Sequence, residues 1–294
     1  MSKDNKFLIF ILFLVALEAF LFFLGNAEKK EKERIEAERI TKIQNAFMDA
    51  NISAKAFSVN ISSIKDQNFG KNQDESLPLA SLSKVVTIIS ALSERETDEI
   101  IKISRTSFLE NTKDDIYLNE KWKVDDLIKF ILVSSSNTGA LALSNNDSEI
   151  FIKKMNDFAK QIDAQKTVFY NSTGLDISKE QGGSYGSAKD MNTIALYAID
   201  NYPDFFNSDV SHQTVFKSKS GKVHNVKNTN TLIDKIPNLI FSKTGFTTFA
   251  GGNLTVVFKN KIGDRIAITL LGSTKEGRFT DMEELVKIAY NLEY

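Results

Sequence analysis

Apolar residues fall in several different rhythms along this 294-residue chain, and each rhythm predicts a different element. From Phe7 to Gly25 the run FLIFILFLVALEAFLFFLG is broken only by Glu18. As a helix it reaches roughly 28 Å, close to the roughly 30 Å hydrocarbon core of a bilayer, so it predicts a membrane-spanning segment over 7–25. A cleaved signal peptide is the alternative. Its apolar stretch is usually only about 7–15 residues, and Gly25-Asn26-Ala27 is a poor small-residue cleavage site, which favours an uncleaved anchor. Glu18 reads as a tolerated, protonated carboxyl rather than a helix-pairing contact, at a cost the surrounding Leu, Ile and Phe offset.

From Glu28 to about Phe47 charges alternate around Ile35, Ile40, Ile43 and Phe47, the pattern of a largely solvated helix with a thin apolar edge. It reads as a spacer over 26–46; the heptad is too short and irregular for a coiled coil. The remaining chain, 47–294, has no long linker or repeat and reads as one unit. Residues 54–62 have strand character, 66–75 read as a polar turn, and a core helix follows Pro78, with Val85, Ile88, Ile89 and Leu92 at i, i+3, i+4 and i+7. Helical spacing recurs over 124–133, 139–143, 150–162 and 188–199. The period then changes: 253–259 and 265–272, rich in β-branched residues, predict an antiparallel hairpin joined through 260–264. A last helix is predicted to begin at Thr280, with Glu283 completing a capping box. Strands near both ends with helices between them predict an α/β (α+β) domain, its antiparallel sheet built from both chain ends around an inserted helical lobe.

Composition narrows the chemistry. With 37 Lys+Arg against 38 Asp+Glu there is no basic surplus for nucleic acid, and no nucleic-acid partner is expected. The absence of cysteine removes thiolate nucleophiles and Cys-ligated metals, and two histidines, His212 and His224, do not make a zinc site; neither metal nor cofactor is expected. Both histidines sit in the polar stretch 208–230 and read as exposed loop or strand residues. Neither lies near a G-x-S-x-G, which argues against a Ser-His-Asp hydrolase. H-E-x-x-H and the phosphate-binding G-x-x-x-x-G-K-[ST] are also missing.

Three short motifs remain. Ser81-Leu82-Ser83-Lys84 opens the core helix, so a hydroxyl and an amine at i+3 share one face of its first turn, a nucleophile beside a base. Alone the pattern is weak, since Ser62-Ser63-Ile64-Lys65 matches it too. Ser135-Ser136-Asn137 stands at a break between helices, where Ser135 and Asn137 alone would read as a capping turn. Lys243-Thr244-Gly245 follows the strand-like Leu239–Phe241 and is the rarer signal: a cation and a hydroxyl suited to a carboxylate, with a glycine for close backbone approach.

In this order, S-x-x-K, S-x-N and K-T-G form the set found in β-lactamases and penicillin-binding proteins. With Asn171-Ser172-Thr173-Gly174-Leu175-Asp176, Asn228-Thr229-Asn230 and Phe246-Thr247, the chain resembles the D-alanyl-D-alanine carboxypeptidases, low-molecular-mass penicillin-binding proteins of the β-lactamase/transpeptidase-like superfamily. The resemblance implies that Ser81 attacks the D-Ala-D-Ala carbonyl of a peptidoglycan stem peptide, Lys84 takes its proton, Ser135 relays a proton to the leaving D-alanine and Asn137 orients Lys84 and the substrate. Lys243, Thr244, Gly245, Phe246 and Thr247 would bind substrate, with the backbone N–H groups of Ser81 and Phe246 as oxyanion hole. It further implies covalent inhibition by β-lactams. A β-lactamase is the nearest alternative, but no clear E-x-x-L-N lies between Asn137 and Lys243; a catalytically silent binder of wall peptides is the other.

The same resemblance bears on orientation. Lysines and arginines after the apolar run outnumber those before it, which by charge alone keeps the domain inside the cell; a wall substrate requires export, and long domains translocate with little regard to flanking charge. The expectation is a single-pass cell-membrane protein with residues 1–6 cytoplasmic, 7–25 in the lipid bilayer and the peptidase domain outside.

Overall fold

The computed structural model describes residues 3–65, 67–108, 116–207 and 213–292. His212 and Asp66 lie outside the described residues. The chain divides into two compact units, 1–46 and 47–293.

The first unit is the helix α1, Lys3–Met48, apart from its last two residues. The membrane-spanning helix expected over 7–25 is not shown: among the described residues no helix is long and apolar enough to cross a membrane, and the side chains at 8, 9, 11, 15, 16 and 19 lie outside the described set.

The second unit is a mixed α/β domain. Its strands are β1 (Ala56–Ile61), β2 (Asn68–Lys71), β3 (Leu77–Pro78), β4 (Ile100–Lys102), β5 (Lys121–Lys123), β6 (Val168–Phe169), β7 (Ser184–Gly186), β8 (Gln213–Lys217), β9 (Val223–Lys227), β10 (Leu239–Thr247), β11 (Gly251–Lys259) and β12 (Arg265–Ser273). Its helices are α2 (Lys84–Leu92), α3 (Val124–Ser134), α4 (Asn137–Leu143), α5 (Glu149–Gln161), α6 (Ala188–Asn201), α7 (Pro203–Phe206) and α8 (Gly277–Tyr290), with a 3₁₀ turn at Ala80–Ser83. The main sheet is antiparallel in the order β10-β11-β12-β1-β2, so strands from both ends of the domain do build it.

The strongly β-branched hairpin forms β11 and β12 because both faces are covered. Helices α6 and α8 both pack on β12; Ala267 and Leu271 join the main core while Ile266, Ile268 and Leu270 are buried on the other face. Helix α2 is buried from Lys84 to Ala91, which explains its apolar character all round. The core helix expected to open at Ser81 begins instead at Lys84, and Ser81 stands in the 3₁₀ turn just ahead of it.

Four further local expectations need correction. The turn expected over 66–75 contains β2, because Phe69 is buried in register with Val59. The strand expected to precede Lys243 runs through it, and β10 carries the whole K-T-G motif. The last helix starts at Gly277; Thr280 lies inside it and bonds back to the Gly277 carbonyl, while Glu283 pairs with Lys235, so there is no capping box. His224 is buried, not exposed. Its Nε2 lies 2.6 Å from Glu120 Oε1, among Trp122, Phe130 and Tyr117, because alternation along β9 turns His224 and Val226 inward.

Candidate active site

The backbone leading into Ser81 is bent. Ala80 takes a left-handed φ of 50°, a conformation that costs a non-glycine residue energy and persists because the surroundings hold it. Two glycines do the holding. A Cβ on Gly174 would collide with the Ala80 carbonyl, and one on Gly245 would stand 2.8 Å from the Leu79 carbonyl oxygen. The nucleophile turn is thus wedged between the 171–176 loop and β10, and no larger residue fits at either side.

The next turn of chain places Lys84, fully buried, under Ser81. Its Nζ lies 2.8 Å from Ser81 Oγ, 2.7 Å from Asn137 Oδ1 and 2.6 Å from the Thr173 carbonyl oxygen. The amide and carbonyl oxygens only accept, so Nζ donates to both, and an amine that has lost its third proton would have its lone pair left for the Ser81 hydroxyl. This is the geometry a lysine base needs.

Ser135 caps the C-terminus of α3 with a left-handed φ of 63°, and Ser136 then caps α4 by accepting from the Gly139 N–H at 2.9 Å. Capping therefore falls to Ser136, which leaves Ser135 and Asn137 for the cleft. Across it, Lys243 reaches Ser135 Oγ at 2.8 Å. Burial holds Lys243 well below the usual lysine range, with the charges of Lys84 and Arg278 adding to the effect. Thr244 donates to Thr229 Oγ1 at 2.6 Å, and Gly245 gives its carbonyl to Arg278 Nη1 at 2.7 Å. Phe246 is exposed, whereas the Thr247 hydroxyl is already spent on Asp176 and the Ala250 N–H.

The structure thus gathers Ser81, Lys84, Asn137, Ser135, Lys243 and Thr244 into one cleft, with Gly245, Phe246 and Thr247 following along the β10 edge. The look-alike Ser62–Lys65 lies elsewhere, where the Ser62 hydroxyl accepts from the Arg265 N–H at 3.0 Å. Sequence reasoning missed three participants: the Thr173 carbonyl, Thr229 and Arg278. The first two sit in segments quoted for the resemblance, but a backbone carbonyl leaves no motif, and Arg278 lies 33 residues from the glycine it holds. Among the described residues no group of His, Asp or Glu is arranged to hold a metal.

A serine bonded to the buried lysine that opens a core helix, faced by a Lys-Thr-Gly edge strand, is the arrangement that a serine hydrolase of the Ser-Lys type requires. Residues 51–274 match the model of the D-alanyl-D-alanine carboxypeptidase family of peptidases, and the chain belongs to that family. The D-alanyl-D-alanine carboxypeptidase DacF of Bacillus subtilis is 27% identical over 232 residues, 76% of this chain and 58% of that one; the chain thus matches under two thirds of that relative's length. A D-alanyl-D-alanine endopeptidase of Escherichia coli is 28% identical over 228 residues, 74% of this chain and 71% of that one. Among solved structures, penicillin-binding protein D2 of Listeria monocytogenes, in its ampicillin-bound form, is 26% identical with a TM-score of 0.70, covering 83% of this chain and 100% of that one. A D-alanyl-D-alanine carboxypeptidase of Mycobacterium tuberculosis shares the fold at a TM-score of 0.73 and 23% identity, over 83% of this chain and 93% of that one.

Proposed function

We propose that the chain is a serine-type D-Ala-D-Ala carboxypeptidase that removes the terminal D-alanine of peptidoglycan stem peptides. The reading rests on one observation, the buried Lys84 bonded at once to Ser81, Asn137 and the Thr173 carbonyl. Lys84 takes the Ser81 proton as Oγ adds to the carbonyl between the two D-alanines. The resulting oxyanion is met by the Ser81 and Phe246 N–H groups. Collapse breaks the C–N bond as Ser135 passes its hydroxyl proton to the departing amine and is reprotonated from Lys84, which is thereby neutral again, and the peptide is left as an ester on Ser81. Water, with Lys84 again accepting a proton, then hydrolyses that ester. Lys243 and Thr244 hold the terminal carboxylate, the feature that marks the substrate as a chain end. A β-lactam enters the same way and stays as a slow acyl-enzyme; the ampicillin bound to the Listeria relative supports this.

Residues 7–25 act as a lipid anchor, 1–6 as a cytoplasmic stub and 26–46 as a spacer, with the domain from residue 47 outside the cell. The support is the length of the apolar run together with the exposure of Phe7, Phe10, Leu12, Phe13 and Phe20–Leu24, a surface that water does not favour and lipid does. Release of D-alanine from a D-Ala-D-Ala peptide by the chain in neutral detergent, lost in Ser81→Ala, is the expected result; no release from folded wild-type protein contradicts the reading.

A further inference from the structure

We infer that the cavity between α2, α5 and the end of α6, away from Ser81, is a binding site for an uncharged sugar unit. That the sugar comes from the glycan strand of the wall polymer rests on the carboxypeptidase reading; the site itself does not. The cavity holds about 470 Å³, within the roughly 300–1,000 Å³ of small-molecule sites. None of its lining residues belongs to the catalytic cleft. Its contact with α2 is made by Ile89 and Ser90, and Ser90 lies six residues past Lys84, roughly 9 Å further along the helix axis.

Ser90 is the residue that calls for a ligand. It is 2% exposed and lines the cavity, yet among the described residues its hydroxyl has no hydrogen-bond partner. A buried hydroxyl left in that state is costly, and a polar ligand atom removes the cost, so a purely apolar occupant does not fit. An ion does not fit either. Lys153 and Lys154 in the wall are already paired with Asp157 and Glu94, which leaves the charge there balanced. What remains is neutral hydrogen bonding beside apolar surface. Burial, with Tyr197 adding, pushes the Tyr202 phenol up, so that it stays a donor throughout the neutral range. Phe158 packs edge-on to Tyr197 with ring centres 5.1 Å apart, and Ile89 and Ile150 extend that apolar wall. A sugar ring satisfies both demands. Its face of C–H groups lies on aromatic and aliphatic surface, while hydroxyl and acetamido groups on its edge meet Ser90, the Gln161 amide and the two phenols.

The probe is chitotriose, the uncharged trimer of N-acetylglucosamine, titrated by isothermal calorimetry into the full chain in a sugar-free neutral detergent. Saturable binding is expected, and it should persist after the chain has reacted with benzylpenicillin, because the site lies outside the Ser81 cleft. Ser90→Ala and Tyr202→Ala should each weaken binding about tenfold. Ser90→Ala should also leave the urea midpoint unchanged or higher, since the hydroxyl it removes bonds nothing in the free protein. A lowered midpoint would make that hydroxyl structural and overturn the assignment. No binding to folded wild-type protein, or binding undiminished in both variants, overturns the site and leaves the carboxypeptidase reading standing. Loss of binding after benzylpenicillin treatment puts the sugar in the catalytic cleft and overturns the site as well. Binding that behaves as expected, in a chain that releases no D-alanine from a D-Ala-D-Ala peptide, supports the site and overturns only that reading and the source it gives the sugar.

Discussion

Lys243 and Ser135, 108 residues apart, are joined at 2.8 Å across the cleft. The pair repeats the Ser81–Lys84 contact at the same distance; on the proposed mechanism one lysine faces the nucleophile and the other the end where the carboxylate and leaving amine belong. Removing the second lysine is expected to spoil recognition more than chemistry. Lys243→Ala should lower kcat/KM for a D-Ala-D-Ala peptide by roughly 10²-fold, mostly through KM. Unchanged steady-state kinetics would exclude the role given to it.

The same lysine sets a pH dependence. Burial, with Lys84 and Arg278 adding, depresses its native pKa, while in the unfolded chain it titrates near 10.4. Between these values the unfolded chain binds more protons, so stability rises with pH across that window and is flat below it. The stability difference between wild type and Lys243→Gln in urea should therefore grow in favour of wild type as pH approaches about 10. Carboxylate recognition needs the charged form, so kcat/KM should fall with rising pH below the ordinary lysine range. A difference that shrinks with pH contradicts the assignment.

On the proposed mechanism Lys84 acts as a base rather than as a fixed charge. Lys84→Arg keeps a cation that does not deprotonate near neutrality, so it should slow acylation of Ser81 as much as Lys84→Ala does, by roughly 10²–10⁴-fold. Rescue by arginine in a stopped-flow β-lactam assay would point to electrostatics instead.

Gly174 has a left-handed φ of 76°, and any Cβ there meets the Ala80 carbonyl. Gly174→Ala is expected to cost roughly 2–4 kcal/mol of unfolding free energy and to disturb the Ser81 turn. An unaltered urea midpoint with normal acylation would mean that the loop yields freely.

Away from the cleft, Glu120 and His224 form a contact with both side chains almost wholly buried. His224→Ala leaves the buried Glu120 Oε1 without its contact, although Oε2 still accepts from the Tyr117 N–H, so the variant should lose roughly 3 kcal/mol in urea denaturation. A loss no greater than that at an exposed lysine such as Lys219 would contradict the burial.

Much of this was legible in the sequence, for definable reasons. The rhythm of Val85, Ile88, Ile89 and Leu92 located α2, and the β-branched runs located β11 and β12, because these elements are buried deeply enough for periodicity to survive. Motif order selected Ser81, Lys84, Ser135, Asn137 and Lys243 over look-alikes such as Ser62–Lys65. What escaped depends on long-range packing. His224 stands in a polar stretch, and only the pairing of β9 with β8 and the distant Glu120 turns it inward. Thr280 and Glu283 match a capping box by spacing, yet the helix had begun three residues earlier. Arg278 holds the Gly245 carbonyl through a contact that no local pattern encodes.

The proposed mechanism requires Ser81 to become covalently acylated by a substrate-like amide. Incubating the folded chain with benzylpenicillin and mapping the adduct by peptide mass spectrometry tests it directly. One penicilloyl group is expected on Ser81, absent from Ser81→Ala; an unmodified Ser81, or an adduct on another serine, would contradict the mechanism.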